Sequence, residues 1–467
     1  MDSAFWIKAL QLIAGLGLLV FLHELGHYFF ARIFGIKVDK FYLFFNPYFS
    51  IVKWKPGKGV KFFTSKEFDE EPIPDNYKPT WRDTTYGIGW LPLGGYCAIA
   101  GMIDETKSAK DLAAEPQPWE FRTKPAWQRL LVMLGGVVFN FLTAIVIYAG
   151  IVYTYGEQYV PLDKAYEGMA YPAAAHNIGF RDGDIPLTAD GERLDAADAD
   201  FRLKMIEAKE VIVLRNHADT VKIAIPDKFI FALENDTTGV SFCSYRMPVV
   251  VAGLAPGEPA VEAGIQKGDR IIAVDSVPTT AYMEFTAELK KNAGKEVAID
   301  ILRGNDTVSV AITPTEYGKI GIQLAPITDI YEVETVDYSL WESVPKGWEL
   351  GVTTLTNYVS QLKYVFTSEG AQSLGGFGTI GSIFPDTWQW LAFWNIVAFL
   401  SVILAFMNII PIPGLDGGHV VFLLWEIITR RRPSEKVLDY AQYVGMLLII
   451  ALLIYANGND IYRFFIK

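Results

Sequence analysis

Residues 10–34, LQLIAGLGLLVFLHELGHYFFARIF, form an apolar run long enough to cross a bilayer as one helix, with His23, Glu24 and His27 inside it. No other feature constrains the chain so strongly. Ionisable side chains are costly in hydrocarbon, so their presence in such a run points to a functional site. On a helix, His23 and His27 project from one face about a turn apart. That spacing suits two nitrogen ligands of a zinc ion, with Glu24 near enough to act on a water at the metal.

Composition agrees with a membrane protein carrying a large soluble part: 467 residues, 51% of them hydrophobic. The net charge of −12 argues against a nucleic-acid partner. Cys97 and Cys243 lie far apart, so neither a disulfide framework nor a cysteine metal site is expected. Only Lys8 precedes the long apolar core, which holds the histidines, so the run does not read as a cleaved signal peptide and is expected to stay in the mature protein.

Four apolar stretches are candidate spans, at about 4–34, 127–153, 388–410 and 438–455. The connection between the last two carries Arg430, Arg431, Arg432 and Lys436, which places it in the cytosol. Both termini and the polar, acidic region 156–340 then fall on the extracytoplasmic side. The expected parts are a first span (1–35), a β-rich cytosolic or membrane-associated region (36–125), a second span (126–154), two repeated domains (155–246 and 247–328), a linker with an interfacial helix (329–386), a third span (387–420), and a fourth span with the C-terminus (421–467).

Within 36–125, residues 41–54 are aromatic and β-branched, and 86–99 (YGIGWLPLGGYCAI) is strand-like but interrupted by Pro92 and Gly94-Gly95. The charged stretch 55–82 reads as an exposed hairpin or loop excursion, and Asp104 and Glu105 as solvated charges. The 86–99 segment either offers a free edge to an extended peptide or belongs to a small sheet packed on the spans.

Gly179-Phe180-Arg181-Asp182-Gly183-Asp184-Ile185 recurs as Gly264-Ile265-Gln266-Lys267-Gly268-Asp269-Arg270-Ile271, an offset of 85 residues that fits a small domain. Pro172-Ala173 and Pro259-Ala260 precede the two copies. The second closely resembles a PDZ domain of the bacterial protease type. The first resembles one more loosely, with Pro186 expected to break its strand. Such domains bind peptide ends or strands, or act as steric modules. Beyond them Trp348, Val352, Leu355, Val359, Leu362 and Phe366 form one apolar stripe, read as a helix lying at the membrane surface.

A catalytic zinc normally takes three protein ligands. The candidate third is Asp416, in NIIPIPGLDGGH (408–419), where two prolines break the third span and two glycines allow close backbone approach. His419 reads as support for Asp416.

These motifs together resemble the site-2 protease family, and within it the regulator-of-sigma-E protease group. The fold implied is a polytopic α-helical membrane protein of about four spans, with a membrane-associated β-hairpin or sheet and two extracytoplasmic PDZ-like α+β domains. The resemblance implies zinc held by His23, His27 and Asp416, with Glu24 as catalytic acid/base. It implies Asn408 as a substrate-orienting residue, and 86–99 as the family's β-loop, with Gly94, Gly95 and Tyr96 against substrate. The family's Gly-Pro-x-x-Asn signature appears here as Gly136-Val137-Val138-Phe139-Asn140, without its proline; Asn140 is its substrate-side candidate.

The implied activity is intramembrane proteolysis in the bacterial inner membrane. Its substrates would be single-span membrane proteins within the lipid bilayer, as anti-sigma factors or signal-peptide remnants, with peptide ligands for the PDZ-like domains. The competing reading is a non-catalytic scaffold binding envelope proteins through those domains. It predicts a missing ligand or base, and none is missing.

Overall fold

The computed structural model describes residues 3–462 apart from 70–76, 93, 103–114, 199, 228, 235, 237–239, 256 and 366–374. Asp104, Glu105 and Phe366 therefore lie outside the described residues. The chain divides into two compact units: Met1–Tyr155 with Tyr338–Lys467, and Gly156–Asp337.

The first unit is built on helices. Among the described residues four are long and apolar enough to cross a membrane: Ala4–Ile33, Ala126–Tyr155, Trp390–Ile409 and Lys436–Ile461. Each coincides with one expected span. The first, α1 (Ser3–Ile33), and the second, α2 (Ala126–Tyr155), cross at glycines. A Cβ on Gly26 would stand 2.2 Å from the Gly135 carbonyl oxygen, and one on Gly135 would stand 2.5 Å from that of Gly26. Only small residues permit backbones so close, and the approach replaces the hydrophobic drive that lipid cannot supply. Ser401 Oγ in helix Trp390–Ile409 donates to the Asn140 carbonyl at 2.7 Å, fastening that helix to α2.

Between α1 and α2 lies a five-stranded sheet of β1 (Val38–Leu43), β2 (Ser50–Lys55), β3 (Gly59–Thr64), β4 (Thr85–Ile88) and β5 (Tyr96–Ile99). Its order is β3-β2-β4-β1-β5, with β1 parallel to β4 and antiparallel to β5. The 86–99 segment is thus two strands with different surroundings. Its first part is β4, enclosed between β2 and β1, while among the described residues β5 pairs with β1 alone and forms the sheet's end. The division falls where Gly89 lies against the Phe45 carbonyl and Pro92 lacks an N–H for a ladder. The 55–82 excursion contributes β3, a hairpin partner of β2.

Helix Leu340–Val365 forms where the apolar stripe ends the soluble region. On one side it packs on α2, while Val352 and Val359 of the stripe stay exposed. Gly347 lies against the Ile145 carbonyl and Ala149 N–H of α2, the Trp348 ring centroid is 5.8 Å from that of Phe141, and Leu355 packs against the buried cluster of Ala144, Tyr148, Ala398 and Val402.

The third span ends at Ile409, and a separate, unanticipated helix, Asp416–Thr429, starts beyond the two prolines. Arg129 of α2 pairs with its Glu426. Gly414 takes φ +95° in the turn between, which a side chain would strain.

In the second unit the repeat becomes two α+β halves with separate hydrophobic cores. In the first, strand Ile185–Ala189 pairs with Glu210–Arg215, which pairs with Asp219–Ala224; in the second, Arg270–Val274, Val297–Arg303 and Asp306–Ile312 repeat the pattern. The repeated Gly-Asp now has a cause. Arg215 Nε donates to Asp184 Oδ1 at 2.8 Å and its Nη2 to the Gly179 carbonyl at 2.8 Å. Arg303 does the same to Asp269 and Gly264, at 2.8 and 2.9 Å. Each buried carboxylate is thereby matched by a forked guanidinium that also ties down the loop glycine. Strand Ile185–Ala189 runs through Pro186, contrary to expectation. Pro186 pairs opposite Val213, and a register shift between Ile212 and Val213 absorbs the missing donor.

Candidate metal centre

Helical spacing brings His23 and His27 together on α1, with their Nε2 atoms 3.2 Å apart. Asp416 reaches both from the first turn of its helix, with Oδ2 at 3.2 Å from His23 Nε2 and 3.3 Å from His27 Nε2. An acid in a first helical turn also faces the positive end of the helix dipole.

The second ring nitrogen of His27 decides its tautomer. Its Nδ1 lies 2.8 Å from the Val132 carbonyl of α2, which can only accept, so Nδ1 carries a hydrogen and the neutral ring presents its lone pair at Nε2. Asp416 Oδ2 is buried and receives no hydrogen bond. Acceptors converging in a buried place are unfavourable without a cation between them. Four ligands at about 2.0–2.1 Å from zinc stand about 3.3 Å apart in a tetrahedron, which matches this triangle. The donor set of two imidazoles and a carboxylate therefore fits a zinc-type ion with one position open.

Gly136 makes room for the cluster. A Cβ there would lie 2.4 Å from His23 Cε1 and 2.6 Å from His27 Nε2. The α1–α2 glycine crossing therefore also lets α2 pass under both imidazoles. The retained Gly136 and Asn140 of the incomplete signature are the two residues of it that reach the site: Asn140 Nδ2 is 3.4 Å from His23 Nδ1. Asn408, in the last turn before the prolines, places Nδ2 3.4 Å from His23 Nε2.

A cavity of about 360 Å³ opens on the cluster. It is lined by every residue assigned a role at the site from the sequence: His23, Glu24, His27, Gly94, Gly95, Tyr96, Asn140, Asn408 and Asp416. The Glu24 carboxylate is hydrogen-bonded to the backbone of Cys97 in β5, joining the acid to the sheet's end strand. Gly95 is small because β5 crosses tightly here: a Cβ would stand 2.6 Å from the Tyr42 carbonyl and 2.8 Å from Val20 Cγ1. Tyr96 stacks on Tyr42 at 5.2 Å, and its hydroxyl bonds Asn46 Oδ1 at 2.9 Å. His419 lines the same cavity as Asp416. Phe45, Cys97 and Gln442 also line the cavity and were not singled out. For Gln442 the signal existed, as a polar residue inside the fourth apolar run.

The sequence pattern of peptidase family M50 matches residues 11–65 and 74–452. The chain belongs to peptidase family M50. This bears out the resemblance carried by the two motifs. Among M50 relatives, the regulator of sigma-E protease RseP of Escherichia coli (strain K12) is 28% identical over 499 residues, covering 99% of this chain and 100% of that protein. The regulator of sigma E protease of Haemophilus influenzae is 26% identical over 479 residues, covering 97% of this chain and 98% of that protein. Protease RseP of Yersinia pestis is 28% identical over 493 residues, covering 99% and 100%.

Proposed function

We propose that this M50 chain is an intramembrane zinc endopeptidase, cutting peptide bonds within the membrane segments of single-span proteins in the bacterial inner membrane. The convergence of His23, His27 and Asp416 from two apolar helices, in one cavity with Glu24, is the observation that carries this reading. In the membrane such a group is too costly to keep for packing alone.

His23, His27 and Asp416 would hold the zinc. Bound there, the ion supplies Lewis acidity toward a carbonyl and lowers the pKa of water toward about 7. Glu24 takes the proton from the attacking water and delivers it to the leaving amine, held in place by its bond to the Cys97 backbone. Asn408 and Asn140 present amides beside His23, where they orient the substrate carbonyl. A helical substrate has its peptide groups bonded internally, so the scissile stretch must unwind first. Pairing with β5, with Gly94, Gly95 and Tyr96 along the cavity wall, restores the bonds lost on unwinding, where water is scarce. Helix-breaking residues in a substrate therefore favour cleavage.

The relatives are named as regulators of sigma E; single-span anti-sigma factors and signal-peptide remnants both suit this chemistry as substrates. The basic Arg430, Arg431 and Arg432 support a cytosolic connection between the last two spans, with the termini and the two repeat halves extracytoplasmic. We read those halves as PDZ-like domains that take peptide ends or strands.

The test is cleavage of a tagged single-span substrate by purified wild type and Glu24→Gln, with bound zinc measured in both. The variant is expected to retain zinc and lose cleavage by about a hundredfold or more. A wild type without metal, or a variant that cuts as well as wild type, returns the chain to the scaffold reading.

A further inference from the structure

The last helix, Glu435–Ile461, brings one polar side chain to the cavity, that of Gln442. Two observations place it. Gly445, three residues on and so on the same helical face, is in direct backbone contact with the broken-helix turn: a Cβ on it would overlap the Pro413 carbonyl and stand 2.9 Å from Gly414 N. Gln442 therefore stands over the continuation of that turn, which presents Asp416. The neighbouring Tyr440, Tyr443, Val444 and Leu447 are instead exposed around the rest of the helix, as lipid-facing residues are.

Among the described residues Gln442 has no hydrogen-bond partner. Amides in membrane helices ordinarily bond across to a neighbour, because hydrocarbon offers nothing in exchange for lost water. An amide aimed into a cavity, unpaired, awaits what the cavity receives. Its side chain presents one acceptor and two donors, the complement of a peptide group with both its C=O and N–H free. β5, the end strand of its sheet, lines the same cavity.

We infer that Gln442 is a substrate-positioning residue that bonds the backbone of the unwound membrane segment on the edge turned away from β5. This rests on the proteolytic reading above. An extended peptide is then gripped along both edges, by main chain on one side and by an amide on the other. Recognition of main chain rather than side chain suits an enzyme acting on varied apolar sequences.

The test uses the purified full chain and the tagged single-span substrate, with Gln442→Met, which keeps the shape without the amide, and Gln442→Asn, which keeps a shorter amide. One uncharged hydrogen bond sets the size of the effect: KM rises about three- to tenfold in Gln442→Met, with kcat within about twofold. Bound zinc is unchanged, and Gln442→Asn recovers part of the loss. An unchanged KM in Gln442→Met overturns the inference. So does loss of zinc, or a fall in kcat at constant KM, since either makes Gln442 a support of Asp416 or His419. If wild type shows no Glu24-dependent cleavage, the proteolytic reading and this inference fall together. Glu24-dependent cleavage with an unaltered KM removes the inference alone.

Discussion

Gly136 carries no chemistry, yet the geometry of the centre depends on it. The smallest possible side chain at this position would press on the His23 ring at 2.4 Å and on His27 Nε2 at 2.6 Å. Neither imidazole can retreat freely, because His27 is tied to the Val132 carbonyl and both ride on the helix crossing at Gly26. In Gly136→Ala the rings must turn away, and metal affinity is expected to fall about tenfold or more, the scale seen when a ligand's supporting contacts are lost. Zinc titration of the purified variant, beside a circular dichroism spectrum to confirm its helices, checks this. Wild-type affinity in a folded variant would mean that the rings have slack that the distances deny. Gly136 was visible in the sequence only as the remnant of a signature; its steric reason needed α1 and α2 placed against each other.

At the scale of elements, β5 joins two roles that no local pattern in the sequence reveals. It is the end strand of its sheet, and its Cys97 backbone holds Glu24. A proline tolerates an edge position whose N–H points away from the sheet. Cys97→Pro should therefore leave the β1 pairing intact while removing a donor to the Glu24 carboxylate. Hydrogen bonds to charged groups contribute about 1.5–3 kcal/mol, so kcat should fall about ten- to hundredfold with bound zinc unchanged. Simultaneous loss of zinc would show that the sheet itself had collapsed. The two alternatives for 86–99, a free edge or a small packed sheet, fall to different parts of the segment, for a reason of topology. Hydrophobic alternation marks a strand but says nothing of its neighbours, and β4 turned out to be enclosed. Helix Leu340–Val365 gives a similar lesson: its stripe was legible, whereas its packing on α2 came from Gly347, an unremarked small residue.

For the whole molecule, the candidate metal centre belongs entirely to the unit of helices and the five-stranded sheet, while Gly156–Asp337 has its own two cores. Metal removal should therefore act on one unit only. A ligand at a hundred times its dissociation constant stabilises the state that binds it by about 2.7 kcal/mol. Calorimetry of the full chain with and without a chelator is expected to show two transitions, of which one moves down and the other stays. A joint shift of both would show the units to be thermodynamically one. The sequence by itself determined the four spans, the repeat, the His-Glu-x-x-His helix and the broken helix bearing Asp416, because each is a local pattern of hydropathy or of residues that bend the chain. Tertiary structure alone decided which strand lies at the sheet's end, that Gly136 yields its space to two imidazoles, that Arg215 and Arg303 neutralise the repeated aspartates, and that Gln442 faces the same cavity as Asp416. Those facts depend on which backbone passes which, and contacts between segments far apart in the chain leave no periodicity within either segment.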